Sequence, residues 1–286
     1  MHPIGVNTWV WTSPLDGKGL RELVPAIASA GFDVAELPVE NLGDWDPAEA
    51  AELLADHGLG ASLVLVMSEG RELVRADAAT VAATQDYLRR CLDIAASLGA
   101  PALAGPAYTS VGRTWRMTER ERAECVREWR DNIGPVVEHA ADAGVVLAVE
   151  PLNRYETSLF NTVDQTLRAM DGLPGCGIAL DLYHQNIEER DIASAIRSAH
   201  GRIAHVQVCA NDRGTPGRDH FDWPHLLAAI ADANYLGSLC IESFTSHNDS
   251  IATAASIWRP LATSQDALAV DGLAFLKEVM SQPLGS

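Results

Sequence analysis

Eight short apolar runs, each followed by a stretch of helical spacing, constrain this chain more than any other feature. The runs are Ile4–Trp11, Asp33–Val39, Ala61–Met67, Pro101–Ala107, Val145–Glu150, Gly177–Leu182, Ile203–Cys209 and Leu239–Phe244. Short apolar runs rich in β-branched residues read as strands buried on both faces. Between them lie helical patterns at Gly19–Ala30, from the Asp46-Pro47 start to His57, and at Ala79–Leu98, Thr118–Ala143, Asn161–Met170, Ile192–Ser198, Trp223–Ala233 and Asp266–Met280. Thr118-Glu-Arg-Glu121 is a capping box, and Asp46 is an N-cap with proline at the first helical position. Strands alternating with helices pair in parallel. Eight such units, with no internal linker or low-complexity segment, predict a single α/β domain over residues 1–286, a (β/α)8 TIM barrel. The rival, an open doubly wound sheet, needs a glycine-rich phosphate turn after its first strand, and Val6-Asn-Thr-Trp9 offers none.

In such a barrel the active site lies at the carboxyl ends of the strands. Four successive runs end there on a side-chain oxygen: Val145–Glu150, Gly177–Asp181, Ile203–Gln207 and Ser238–Glu242. Three carboxylates converging on one mouth repel one another unless something neutralises them. A divalent cation held by Glu150, Asp181, Gln207 and Glu242 is the economical answer, and hard oxygen ligands suit Mn2+ or Mg2+. His184 lies just past a strand end, a position suited to contacting substrate. His205 shares the face of Gln207 in a strand of period two and is expected to pack in a layer or support the ligands from behind. Trp9, Trp11 and Trp115 fall near strand ends, where an aromatic either walls a sugar site or packs the core, and Glu36 is a mouth-lining residue without a catalytic role.

The 39 acids against 21 bases leave a net charge of −18, which opposes nucleic-acid binding. No apolar run approaches the length of a membrane span, and the amino terminus lacks the layout of a signal peptide. Five scattered cysteines without CxxC spacing fit a reducing, cytoplasmic setting. The closing Pro283-Leu-Gly-Ser286 reads as an expression scar.

Beyond these patterns the chain resembles the sugar phosphate isomerase/epimerase superfamily of xylose-isomerase-like barrels, and within it the ketose 3-epimerases of the D-tagatose/D-allulose group. The resemblance runs over nearly the whole chain. Its specific parts are Glu150-Pro-Leu-Asn-Arg-Tyr-Glu156, Leu180-Asp-Leu-Tyr-His-Gln-Asn-Ile-Glu-Glu189, the loop Asn211-Asp-Arg-Gly-Thr-Pro-Gly217 and Ile241-Glu-Ser-Phe244. It implies Glu150, Asp181, Gln207 and Glu242 as metal ligands, Glu150 and Glu242 as catalytic acid and base, and Glu156, His184 and Arg213 as substrate contacts. It also implies C3 epimerisation of a ketose through a cis-enediolate, and a homodimer or tetramer. One residue departs from the pattern: these epimerases usually carry His at the position of Gln207, whereas the hydroxypyruvate isomerases of the same superfamily carry Gln. Two other reactions therefore stay open. One is a hydroxypyruvate-type or aldose–ketose isomerisation. The other is 3-keto-glycoside lysis, as in the large subunit of a C-glycoside deglycosidase, which would add a small partner subunit.

Overall fold

The computed structural model describes residues 1–282, so Pro283–Ser286, the expected scar, lie outside the described residues. Eight parallel strands close into a barrel in sequence order. They are β1 (Ile4–Asn7), β2 (Val34–Val39), β3 (Gly60–Leu65), β4 (Ala102–Gly105), β5 (Val146–Val149), β6 (Cys176–Asp181), β7 (Ile203–Val208) and β8 (Leu239–Ile241). The helices are α1 (Gly17–Ala30), α2 (Pro47–Asp56), α3 (Ala78–Ser97), α4 (Glu119–Ala143), α5 (Val163–Ala169), α6 (Leu182–Glu188), α7 (Ile192–Ser198), α8 (Trp223–Asp232), α9 (Asp249–Ala254) and α10 (Gln265–Ser281).

Helix boundaries follow local chemistry. Asp16, Asp46, Asp77, Thr118, Asp191, Asp222 and Ser264 each accept a first-turn backbone N–H through their side chains. The capping box at Thr118 and Glu121 is present as the sequence predicts. Helices α6 and α9 are additions to the sequence reading. Helix α6 begins directly at Asp181, with no loop residue to mark the change of period, and α9 is a short segment after the last strand.

Each strand divides its residues between two environments, as a period of two requires. One set, including Val6, Leu37, Leu63, Leu103, Leu147, Val149, Leu180, Val206 and Ile241, packs against the helical layer in the main core. The other set faces the barrel axis and is small or polar. Val64, Ala102, Ala104, Ala148 and Ala179 form a separate interior cluster. Asn7, Glu36, Ser62, His205 and Gln207 are buried there and contact one another. Small side chains on β4 to β6 leave room inside the ring for the polar ones from β1 to β3 and β7. Gly105, at the end of β4, has φ +141, and a Cβ there would meet Leu65 O at 2.9 Å. Its carbonyl receives the Glu150 N–H at 3.0 Å, which extends the ladder to the residue that opens the mouth.

The five cysteines are free and buried, in keeping with a role as small hydrophobes. Among the described residues, no helix is long and apolar enough to cross a membrane.

Candidate active site

Asp181 and Gln207 are paired across β6 and β7, while the Glu242 N–H continues the β7–β8 ladder onto Val208 O at 3.0 Å. Strand register therefore brings Glu150, Asp181, Gln207 and Glu242 to one level at the carboxyl ends, all four buried. Above them opens a cavity of about 610 Å3. Glu150, Glu156, His184, Gln207, Arg213 and Glu242 line its polar side; Asp181 lies just beneath. Val64–Met67, Leu152, Phe244, Ile251 and Ala254 supply an apolar wall. Of the three tryptophans singled out in the sequence, only Trp9 lines the cavity. Trp11 instead donates to Asp266, and Trp115 lies beneath the guanidinium groups of Arg75 and Arg113.

Arg213 is the cation of the site. A residue of a glycine-rich loop is exposed by default, yet Arg213 is only 5% exposed, and its φ of +69 puts a non-glycine residue in the left-handed region. That backbone turn aims the guanidinium inward. Nη1 donates to Asp181 Oδ2 and, at 2.7 Å, to Glu242 Oε2, while the group lies 4.4 Å from the Tyr183 ring centroid and 5.0 Å from that of Phe244. Burial works against its charge, but Asp181 and Glu242 outweigh it and hold Arg213 well above its ordinary pKa.

The acids respond in the opposite way. Burial first, then Glu242 and Asp181, push the Glu150 carboxyl well above the usual carboxylate range. Burial also raises Glu242, helped by Asp181 and Glu36 and opposed by Arg213. Burial outweighs the surrounding acids at His184 and lowers its pKa, which favours the neutral ring. Three carboxylates against one guanidinium leave an excess equal to the charge of one divalent cation. The donor set fits such an ion: carboxylate oxygens of Glu150 and Asp181 lie within 4.8 Å of each other. Both N–H bonds of Gln207 are directed at carboxylates, Glu36 Oε1 at 2.9 Å and Glu242 Oε1 at 2.8 Å, which leaves its carbonyl oxygen as the donor for a cation.

A second group of ligand-type atoms, on Glu36, His205 and Cys240, lies deeper in the barrel. There His205 Nε2 is 2.7 Å from Glu36 Oε2. That is closer than the roughly 3 Å between two ligands of one ion at bond lengths of about 2.1 Å. Glu36 instead accepts hydrogen bonds from Asn7, Ser62 and Gln207 and lies in ion-pair contact with His205. His205 thus supports the site from behind, as its place in the strand predicted. Glu36 does not reach the mouth expected for it, because its inward carboxylate is taken up by these four neighbours.

Glu156 receives a hydrogen bond from Asn153 Nδ2 at 2.7 Å. Glu40 lines the far side of the cavity, holding Trp9 Nε1 at 2.8 Å and Ser13 Oγ. Sequence reasoning passed over Asn153, Glu40, Tyr183 and Phe244. For Asn153 a signal existed, its place inside Glu150-Pro-Leu-Asn-Arg-Tyr-Glu156; for Glu40, a lone acid beyond a strand, there was none.

Fold and site together define a class: a (β/α)8 barrel whose strands carry buried carboxylates and one buried guanidinium at their carboxyl ends. A family model described as xylose isomerase-like TIM barrel matches residues 24–279, and the chain belongs to that family. A ketose 3-epimerase of Arthrobacter globiformis is 32% identical over 282 residues, 97% of this chain and 96% of the relative. The structure of an L-ribulose 3-epimerase superposes with a TM-score of 0.91 at 29% identity, over 98% of this chain and 95% of the other. A D-allulose 3-epimerase from Methylomonas sp., solved in complex with D-allulose, gives 0.87 at 29% identity over 97% and 96%.

Proposed function

We propose that this chain, acting as one domain, is a ketose 3-epimerase that inverts C3 of a free sugar, with Glu150 and Glu242 as the acid–base pair. The observation that carries the reading is the placement of these two buried carboxyls. They close strands three apart in an eight-strand ring and face one cavity. Inversion needs one group to remove a proton and another to deliver one to the opposite face, and paired carboxyls on different strands meet that need. Either can act as base, according to the configuration at C3. Arg213 and His184 would donate to substrate oxygens, and Glu156 would accept from a hydroxyl. A divalent cation held by Glu150, Asp181, Gln207 and Glu242 would supply Lewis-acid polarisation of the ketose carbonyl. The full-length likeness to ketose 3-epimerases supports the same reaction.

Incubation in deuterium oxide with a panel of ketoses and 3-keto-glucosides, followed by NMR, tests the reading. Label at C3 with formation of the epimer is the expected result. Label at C1 without C3 exchange, or loss of an aglycone, would replace epimerisation by isomerisation or lysis.

The oxygen-only ligand set gives a further expectation. After chelator stripping, Mn2+ or Mg2+ restores activity best, and Gln207→His shifts the ranking toward Co2+ or Ni2+ by adding an imidazole donor. Metal titration of both proteins checks this. An unchanged ranking in the variant would remove Gln207 from the ligand set.

A further inference from the structure

Asn153 sits at the centre of the mouth without a role in the reaction proposed above. It is buried at 1% exposure in the turn after β5, where its carbonyl accepts the N–H groups of Glu156 and Thr157 at 3.0 and 3.1 Å. Its side chain has one possible orientation. Oδ1 lies 2.9 Å from the Tyr155 backbone N–H, and a backbone amide only donates, so the oxygen faces Tyr155 and the NH2 faces the other way. That NH2 donates to Glu156 Oε1 at 2.7 Å and lies 3.0 Å from His184 Nδ1.

The Asn153 backbone N–H also points at His184 Nδ1, at 3.0 Å. Two donors on one ring nitrogen require that nitrogen to carry the lone pair, so a neutral ring holds its proton on Nε2. At Nε2 there is one donor, Arg213 Nη2 at 3.1 Å, against the two at Nδ1. Glu150 Oε1 and Asp181 Oδ2 each lie 3.5 Å from Nε2. The Arg213–His184 contact is therefore donor against donor. Both groups line the cavity.

We infer that Asn153 is the positioning residue of this site: through its backbone N–H and side-chain NH2 it sets the Nε2–H tautomer of His184, and through the same NH2 it aims the Glu156 carboxylate. One residue thereby determines that His184 meets a substrate as a donor and Glu156 as an acceptor. The tautomer stands on hydrogen-bond geometry alone; its value to catalysis rests on the epimerase reading.

Long-range 1H–15N correlation spectra of the histidine-labelled protein test the tautomer without any substrate, with the His184 signals assigned by their loss in His184→Gln. Lone-pair Nδ1 with a protonated Nε2 is expected; a protonated Nδ1 in the parent protein overturns the proposal. Two variants separate positioning from mere packing. Asn153→Ala keeps the backbone donor, so the tautomer is retained, while the freed Glu156 raises KM about tenfold with a smaller change in kcat. Asn153→Asp also keeps the backbone donor and hence the tautomer, but it sets a second carboxylate against Glu156, so KM rises further than in Asn153→Ala. Parental KM in both variants overturns the positioning of Glu156 by Asn153. If neither variant folds, the parent spectrum still decides. A confirmed tautomer in a protein that exchanges no C3 hydrogen would sink the epimerase reading and leave the tautomer assignment standing.

Discussion

Glu150→Gln and Glu242→Gln each lower kcat by about 10²–10⁴-fold while the barrel stays folded. The size of the loss follows from the chemistry, since a carboxamide neither takes the C3 proton nor returns one. Retention of the fold follows from placement. Each side chain lines the mouth cavity outside the hydrophobic core, and a carboxamide fills the same volume. The two variants should still differ. Glu242 accepts from Gln207 Nε2 on Oε1 and from Arg213 Nη1 on Oε2. A carboxamide has one oxygen, so Glu242→Gln turns its NH2 toward one of these donors and loses about 1–2 kcal/mol relative to Glu150→Gln. Steady-state kinetics with circular dichroism and urea unfolding read both effects. More than a tenth of parental activity in either variant would rule out the two-carboxylate mechanism.

The largest effect on stability is expected away from the mouth, at Glu36. Burial raises its pKa, but the His205 ring, by charge and by contact, together with hydrogen bonds from Gln207 and Asn7, outweighs burial and brings the carboxyl down to about 2. Glu36→Ala leaves those donors and the Ser62 hydroxyl without their acceptor inside the barrel. Removing one partner of a buried charge network costs about 3–5 kcal/mol. The pH dependence has a definite sign. A carboxyl lowered in the folded state stabilises fully above its unfolded pKa, and the stabilisation is lost as pH falls through the folded value. From about 4.5 down to about 2, the contribution of the Glu36 charge, about 3 kcal/mol, is progressively lost. The gap in urea midpoint between the parent and Glu36→Gln should therefore be wide at pH 7 and narrow at pH 3. Equal midpoints at pH 7 would show that the carboxylate carries no stability.

The barrel was legible along the chain because its cause is local. A period of two in short apolar runs and a longer period between them survive in the one-dimensional record, and so do caps such as Thr118 and Asp46. The strand-end oxygens of Glu150, Asp181, Gln207 and Glu242 were legible for the same reason: a parallel barrel exposes only the carboxyl ends of its strands to the mouth. Helix α6 was not, because it starts at a strand residue with no turn chemistry between. The partners of each polar side chain depend on register between strands far apart in sequence. Gln207 meets Glu36 across 171 residues of chain and Asn153 meets His184 across 31, and no local pattern encodes either distance. Sequence alone thus determined that Glu150, Asp181, Gln207 and Glu242 stand at the carboxyl ends of their strands, but not the depth of Glu36. Only the closed ring decided that Arg213, from a loop that reads as solvent-exposed, turns inward to stand among the acids, because their combined charge is assembled only when the strands come together.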